Sequence, residues 1–323
     1  MEKPGMEGIS LIVPFLNEED GIERFCKEID LYVSKLDFPV EIIFVDDGST
    51  DNTVSLVKRF NFKNIKGVKI VVLSKNFGSH AAIRAGLTKA TYDICTWCGS
   101  DLQEPLEIIP LSYEKITNEG FDAVYFEKKS VGVSKSNRLF SRIYSAMMQK
   151  YAVKNYSAGG TSTIVFNRKI KDYLNANIEG NSSIMLQIID AGFRYCSMSL
   201  DYGERVAGVS KWTTSKKVKL FIDSFVSFSF MPIRLVSMLG IFLFIIGLVI
   251  GTIAIIYRIT TSYIDVGYIV LCSIVALGFG ITNISLGIIA EYLWRTYDAA
   301  RQRPVFVISE EIIKENNCDE KNN

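Results

Sequence analysis

A single histidine, His80, stands among 323 residues. With one imidazole and one CxxC, Cys95 to Cys98, the chain has too few soft ligands for a zinc centre. The six cysteines at 26, 95, 98, 196, 272 and 318 do not follow the dense spacing of a disulfide framework. Cys95 and Cys98 therefore read as two thiols on a buried strand. Charge of one sign is also missing. Lys and Arg number 36 against 35 Asp and Glu, a net of +1, so nucleic acid is not expected as a partner. The opening "MEKPGMEGISLIVPF" has no basic segment followed by a long apolar core. It reads as a strand ending near Pro14 rather than a signal peptide, so the region is expected to stay where it is made.

Two stretches lack charge altogether. Residues 235–257 and 266–290 contain no Asp, Glu, Lys or Arg. Each is longer than the ~20 residues that cross a bilayer. The link between them, "RITTSYID", is short, so a transmembrane hairpin is expected at about 235–257 and 266–290. Lys211, Lys216, Lys217, Lys219 and Arg234 precede it. Arg295, Arg301 and Arg303 follow it, and only Arg258 lies in the link. The positive-inside rule then puts both termini and the N-terminal domain on the cytoplasmic side. Residues 213–233, with "SKKVKLFIDSFVSFSF", read as an interfacial amphipathic region, or simply as the entry to the first span. Residues 296–323 read as a cytoplasmic tail, with "KENNCDEKNN" polar enough to be disordered.

Before residue 130, apolar strands alternate with helical patterns. "ISLIVPF", "VEIIFVDDGS", "GVKIVVLS", "YDICTWCGS" and "FDAVYF" are the strands. Helices are expected over residues 18–36, 50–60, 79–91 and 104–119. Continuous Val/Ile runs between helices predict strands covered on both faces, hence a mostly parallel α/β sheet. Further on, "NRLFSRIYSAMMQKYAV" and "SSIMLQIIDAGF" read as helices, "STIVFNR" as a strand and "GERVAGVSKW" as a loop. Ligands bind such sheets beyond the carboxyl ends of the strands. Asn17, Glu18, Asp46, Asp47, Asn76 and Asp101 all fall just after predicted strands and share that rim.

Their types suit a nucleotide-diphosphate ligand. Asp46 and Asp47 can accept hydrogen bonds from a base edge and from ribose hydroxyls. Thr50 or Asp51 reads equally well as a helix cap, and Glu18 also suits a first helical turn. Asp101 with Gln103 offers a carboxylate and an amide oxygen, the hard donors that Mg²⁺ or Mn²⁺ prefers.

The motifs "VPFLNEE", "VDDGSTDNT", "LSKNFGSHAAIRAGL", "SDLQEP" and "GERVAGVSKW" occur in this order. With the hairpin they make the chain resemble the polyprenyl-phosphate glycosyltransferases, the dolichol-phosphate mannose synthase-like and bactoprenol glucosyltransferase group of the inverting family-two glycosyltransferases. The resemblance covers residues 9–306. It implies a GT-A domain over residues 1–212, and transfer of a hexose, UDP-glucose being the first donor expected, to undecaprenyl phosphate at the cytoplasmic face of a bacterial inner membrane. The lipid product would serve O-antigen or cell-wall glycan modification. By resemblance Pro14, Phe15, Asn17, Glu18, Asp46, Asp47, Asn76, Ser100 and Gln103 bind the nucleotide sugar. Asp101 and Gln103 hold Mg²⁺ or Mn²⁺. Arg205 and Lys211 match an Arg-x-x-Gly-x-Ser-Lys loop that closes over the phosphates and act with Asp101 in catalysis. Lys128, Arg138, Arg142 and Ser210 meet the acceptor phosphate. The bilayer and a homo-oligomer are the other partners implied. His80 reads as packing at the substrate edge rather than as a base.

One departure stands out. The family usually has Asp-Ala-Asp-Leu-Gln where this chain has Gly99-Ser100-Asp101-Leu102-Gln103. The first carboxylate is missing, which should weaken metal binding without substrate. Two other readings stay open: transfer to a glycan acceptor, and a catalytically impaired membrane partner for which Gly99 is the support. Against the glycan reading, two spans are too few for a polymer pore, and the "QxxRW" motif is absent.

Overall fold

The computed structural model describes residues 6–65, 67–128, 161–179, 183–200, 267–301 and 303–315, plus isolated helical positions at 146, 150 and between 236 and 260. The chain divides into two compact units. One holds residues 1–221 and 304–323, the other residues 222–303.

The first unit carries an eight-stranded sheet in the order β7-β5-β6-β4-β1-β2-β3-β8. Its strands are β1 (Ile9–Phe15), β2 (Val40–Asp46), β3 (Gly67–Leu73), β4 (Ile94–Trp97), β5 (Ala123–Lys128), β6 (Thr161–Phe166), β7 (Tyr195–Leu200) and β8 (Ile308–Glu315). The β1–β2, β1–β4, β2–β3 and β5–β7 pairs are parallel, while β6 and β8 run antiparallel to their neighbours. This is the mostly parallel GT-A class of α/β sheet. All seven residues of β2 are buried, as its unbroken apolar run requires.

Helices α1 (Ile22–Val33), α2 (Thr53–Arg59), α3 (Ser79–Lys89) and α4 (Ile108–Glu119) follow β1 to β4 in turn, and α5 (Arg168–Ala176) and α6 (Ile184–Asp190) follow β6. In α1 the buried set Ile22, Phe25, Cys26, Ile29 and Val33 recurs at helical spacing. It meets the sheet where Phe25 packs edge-on to Phe44, ring centroids 6.2 Å apart. Helix α4 begins at Ile108 and not at Glu104, where the periodicity predicts it. Pro105 interrupts the segment, and Leu102 takes a positive φ of 54°, so residues 101–107 turn instead of coiling.

Two strands carry no clear sequence signal. β7 alternates only weakly between half-buried and exposed positions. β8 lies in the segment expected to be a tail. It pairs with β3 from Gly67↔Glu315 to Leu73↔Ile308. Lys58 bridges Glu310 at 2.9 Å, Lys89 pairs with Glu311, and Lys314 donates to the carbonyls of Val57 and Phe60 at the end of α2. The charges that made β8 look like a tail belong to an edge strand.

The second unit contains α7 (Gly267–Arg301). Leu271, Phe279, Ile284, Leu286, Ile289 and Leu293 are exposed along it. Among the described residues no helix is long and apolar enough to cross a membrane. The spans expected at 235–257 and 266–290 are therefore not established by the structure.

Candidate active site

Because β1 to β4 are parallel and adjacent, their carboxyl ends open onto one rim, with β1 central between β2 and β4. The chain leaves β1 and β4 toward different neighbours, which opens a crevice there.

Three of the loops on this rim are tied together by side chains. Asn17, at φ 51°, accepts from Thr50 N at 2.8 Å and donates its own N–H to Ser49 Oγ at 2.9 Å. Glu18 N donates to Thr53 Oγ1 at 2.9 Å, and Asn52 N donates to Glu19 Oε2 at 3.0 Å. Asp51 accepts from Thr53 N and Oγ1 at 3.0 and 2.6 Å. Burial pushes Asp51 upward, but these bonds and that from Glu19 N outweigh it and hold the carboxyl below its ordinary value. Asp51 therefore braces the turn before α2, while the first-turn position next to the helix, Asn52, makes no side-chain cap.

Asp46 and Asp47 are almost completely buried. Asp46 accepts from Ser49 N at 3.0 Å. Asp47 accepts from Phe77 N at 2.7 Å and Gly78 N at 2.9 Å, so it pins the loop after β3. Burial raises its pKa. The two amide bonds oppose that rise, and Asp46 adds to it. Gly48, at φ 80°, makes the same junction possible. A Cβ there would lie 2.7 Å from Asn76 N, so only glycine fits both the conformation and the close approach. Asn76 is thereby brought beside the Asp46–Asp47 turn, with its side chain exposed. Pro14 is half-buried at the strand end. The side chain of Phe15 turns into the core, edge-on to Phe44 at 6.4 Å. Only its backbone stays at the rim, where Phe15 O accepts from Asp47 N at 3.0 Å.

The fourth loop follows β4. Cys98 N donates to Ile12 O at 3.1 Å and fixes its start. Ser100, Asp101 and Gln103 are half-exposed beyond it. Gln103 N donates to Asp101 Oδ1 at 3.4 Å. Asp101 does not cap α4, which begins seven residues later. Glu104 has no role in the sequence reading, which puts it in a helix, yet Gly99 N donates to Glu104 Oε2 at 3.2 Å. A Cβ on Gly99 would meet Asp101 Oδ1 at 2.9 Å and Glu104 Oε2 at 3.4 Å. The cradle left by the missing side chain thus faces two carboxylates. Hard oxygen donors around such a cradle fit Mg²⁺ or Mn²⁺. Among the described residues no group of three or more His, Cys, Asp and Glu could hold a metal. The fit here is to carboxylates and an amide, which leaves room for oxygens brought by a diphosphate.

Lys128 ends β5, which runs in the same direction as β4, so its backbone reaches the same rim. Arg138, Arg142, Arg205, Ser210 and Lys211 lie outside the described residues. His80 is lowered by burial and by Arg84, which keeps it uncharged. Arg84, unremarked in the sequence, is buried and donates to Gln187 Oε1 at 2.5 Å, tying α3 to α6. Cys95 is fully enclosed and pushed up to about 12 by burial, which suits an inert thiol. Cys98 is raised by burial, then by Glu104 and by Asp101.

The mostly parallel sheet, with carboxylates and an amide gathered at its strand ends, is of the GT-A class. The chain is a glycosyltransferase and belongs to glycosyl transferase family 2, matched over residues 10–183. The undecaprenyl-phosphate 4-deoxy-4-formamido-L-arabinose transferase of Pseudomonas syringae pv. syringae (strain B728a) is 27% identical over 308 residues, covering 95% of this chain and 91% of that protein. The Bacillus subtilis (strain 168) protein CsbB is 30% identical over 315 residues, covering 97% and 95%. Among solved structures, the mannosyltransferase PcManGT from Pyrobaculum calidifontis, in complex with GDP-Man and Mn²⁺, aligns with a TM-score of 0.44 at 21% identity. That alignment covers 63% of this chain and 58% of the other.

Proposed function

We propose that the chain transfers a hexose, with inversion, from a nucleotide-diphosphate sugar to undecaprenyl phosphate at the cytoplasmic face of a bacterial inner membrane. The observation that carries this reading is the similarity, over nearly the whole chain, to transferases named for undecaprenyl phosphate. The rim supports it, since buried carboxylates at one side and Asp101 at the other leave a crevice for a nucleotide diphosphate. UDP-glucose is the first donor to test. The formamido-arabinose named for the relatives belongs in the same panel.

The chemistry asks for positioning. An oxygen of the acceptor phosphate forms a bond to the anomeric carbon. The bond from that carbon to the diphosphate breaks, and its electron pair leaves with the nucleoside diphosphate. A phosphate monoester has its second pKa near ~6 and is already nucleophilic near neutral pH, so no side chain has to remove a proton. Pro14, Asn17, Glu18, Asp46, Asp47 and Asn76 form the nucleotide side of the crevice. Bonds that link Asn17 with Thr50, Glu18 with Thr53, Asp46 with Ser49 and Asp47 with Phe77 and Gly78 set its shape before substrate arrives. Ser100, Asp101 and Gln103 face the diphosphate, and Asp101 with Gln103 would hold Mg²⁺ or Mn²⁺. That ion, when bound, supplies positive charge to the leaving diphosphate. Arg205 and Lys211 hold the phosphates in place, while Lys128, Arg138, Arg142 and Ser210 receive the acceptor.

A membrane location is supported by the charge-free runs at 235–257 and 266–290 and by the exposed apolar side chains of α7. An apolar surface of that kind on a helix is expected to meet lipid.

The test uses purified protein, undecaprenyl phosphate and radiolabelled nucleotide sugars with Mg²⁺ or Mn²⁺. Label in the lipid fraction that disappears with EDTA is the expected result. Label on a glycan instead of the lipid, or no product with any donor from folded protein, overturns the reading.

A further inference from the structure

We propose that Arg84 and His80 form an oxyanion-binding subsite between α3 and α6 that takes a carboxylate or phosphate group of the substrate. The inference rests on the nucleotide-sugar reading for its ligand, while its geometry stands on the fold alone. Arg84 is 2% exposed. Of its guanidinium nitrogens only Nη2 has a partner, Gln187 Oε1 at 2.5 Å, and the buried Nε and Nη1 have none. Gln187 is itself buried, and its Nε2 donates to Asn177 O at 3.4 Å, which aims the amide oxygen at Arg84. That oxygen is neutral. Glu179, the acid whose field reaches Arg84, is exposed, and no ion pair to Arg84 occurs among the described residues. A buried cation with one neutral partner is costly, and a matching anion removes much of the cost.

The second donor lies one helical turn away. His80 Nδ1 is also buried without a partner, and it donates in one of the two neutral tautomers. Side chains on a helix lean toward its N-terminus, so Arg84 reaches back over residue 80, four positions earlier. The two donors therefore share one side of α3. This helix begins at the rim. Its first residue, Ser79, follows Gly78, whose N–H Asp47 holds at 2.9 Å. At 1.5 Å per residue Arg84 starts about 9 Å below Gly78, and its side chain climbs back toward it. Gly78 gives α3 no side-chain cap, so the first amides and the positive end of the helix point the same way. Guanidinium, imidazole and helix end all favour an anionic oxygen. The anions that a nucleotide sugar brings are its phosphates and, where the sugar is a hexuronic acid, a carboxylate.

The test is calorimetric titration of the full-length protein with inorganic phosphate, UDP, UDP-glucose and UDP-glucuronate. Arg84→Met keeps an apolar stem and removes the charge. It is expected to weaken the probe that fills the subsite roughly 10–100-fold. A loss shared by UDP and both sugars, or seen with phosphate alone, assigns the subsite to phosphate. A loss confined to UDP-glucuronate, with that probe binding the wild type more tightly than UDP-glucose, assigns it to the carboxylate. Without ligand, Arg84→Met is expected to unfold at or above the wild-type temperature, because an unpaired buried charge has gone. Wild-type affinity for all four probes in Arg84→Met overturns the subsite and leaves the nucleotide-sugar reading standing. A wild type that binds none of the four overturns both. His80→Ala keeps the bond from Arg84 to Gln187 and serves where Arg84→Met does not fold. It is expected to weaken the same probe roughly threefold to tenfold, and unchanged affinity for all four overturns the subsite.

Discussion

The rim has two halves that are built differently. On the β1–β3 side the ties are long in sequence. Asn17 reaches Thr50, Glu19 reaches Asn52 and Asp47 reaches Phe77 and Gly78, each across at least 30 residues. On the β4 side, the described bonds of residues 99–104 stay local, from Gly99 to Glu104 and from Gln103 to Asp101. The first half is cross-braced by three loops that hold one another. The second is the turn after β4, within which Gly99 N meets Glu104 and Gln103 N meets Asp101. A nucleotide of fixed shape suits the braced half. A diphosphate accompanied by an ion suits the turn, where Asp101 and Gln103 lie two residues apart.

Substitution separates the halves. Asp101→Ala carries the largest expected effect, a loss of about 100-fold or more in transfer rate, with thermal unfolding close to wild type. An equal fall in melting temperature would mean that the β4 turn is as structural as the other half. Asp47→Ala is expected to act in the opposite manner. It leaves the Phe77 and Gly78 amides without their acceptor, at about 1–3 kcal/mol, and raises the KM for the donor more than it lowers kcat. Denaturant unfolding and donor titration check both. Asn17→Ala is expected to cost about 1–2 kcal/mol, by forcing alanine into a left-handed conformation and by removing the acceptor for Thr50 N. Asn17→Gly relieves only the first cost, so in a denaturant melt the difference between the two variants isolates the strain, and Asn17→Gly against the wild type reads the loss of the bond.

The smallest effect is in pH. Asp51 has a folded pKa below its ordinary value of 3.8. Its contribution to stability is complete above that value and is lost as the pH falls through the lower, folded one. Asp51→Asn is therefore expected to make the acid limb of a stability profile shallower below about pH 4. Asp47 has the reverse sign. Its raised pKa means that ionisation costs stability, a cost that grows as the pH rises from 3.8 through the raised, folded value and is constant beyond it. An unchanged acid limb in Asp51→Asn would show that the bonds to Thr53 and Glu19 do not favour the charged form.

Much of this was legible in the sequence, for physical reasons that also explain the rest. β1 to β3 are runs of Val and Ile that only a sheet covered on both faces can bury, and acids directly after such runs must fall on the ligand rim. That logic placed Asp46, Asp47 and Asp101 at the ends of β2 and β4, where the structure has them. It put Glu104 in a helix, because a Glu-Pro-Leu-Glu stretch reads as the opening of one, whereas the positive φ of Leu102 is a backbone choice that no side-chain pattern announces. For Phe15 the structure adds that the ring points to the core, so only its backbone stands at the rim. Arg84 was passed over because burial of a guanidinium depends on α6, which lies about a hundred residues away. β8 was hidden by its own glutamates and by Lys314, whose partners Lys58, Lys89 and the end of α2 are distant in sequence.

The position of β8 has one more consequence. Residues before 222 and after 303 belong to the same folded unit, and β8 closes the circuit by pairing with β3. The segment between is a loop with both ends moored to one body. A tethered loop of this kind can enter a bilayer only if it also comes back, so the number of crossings it makes must be even. Were the charge-free runs to enter a bilayer, that parity would follow from eight residues of strand at the edge of the sheet.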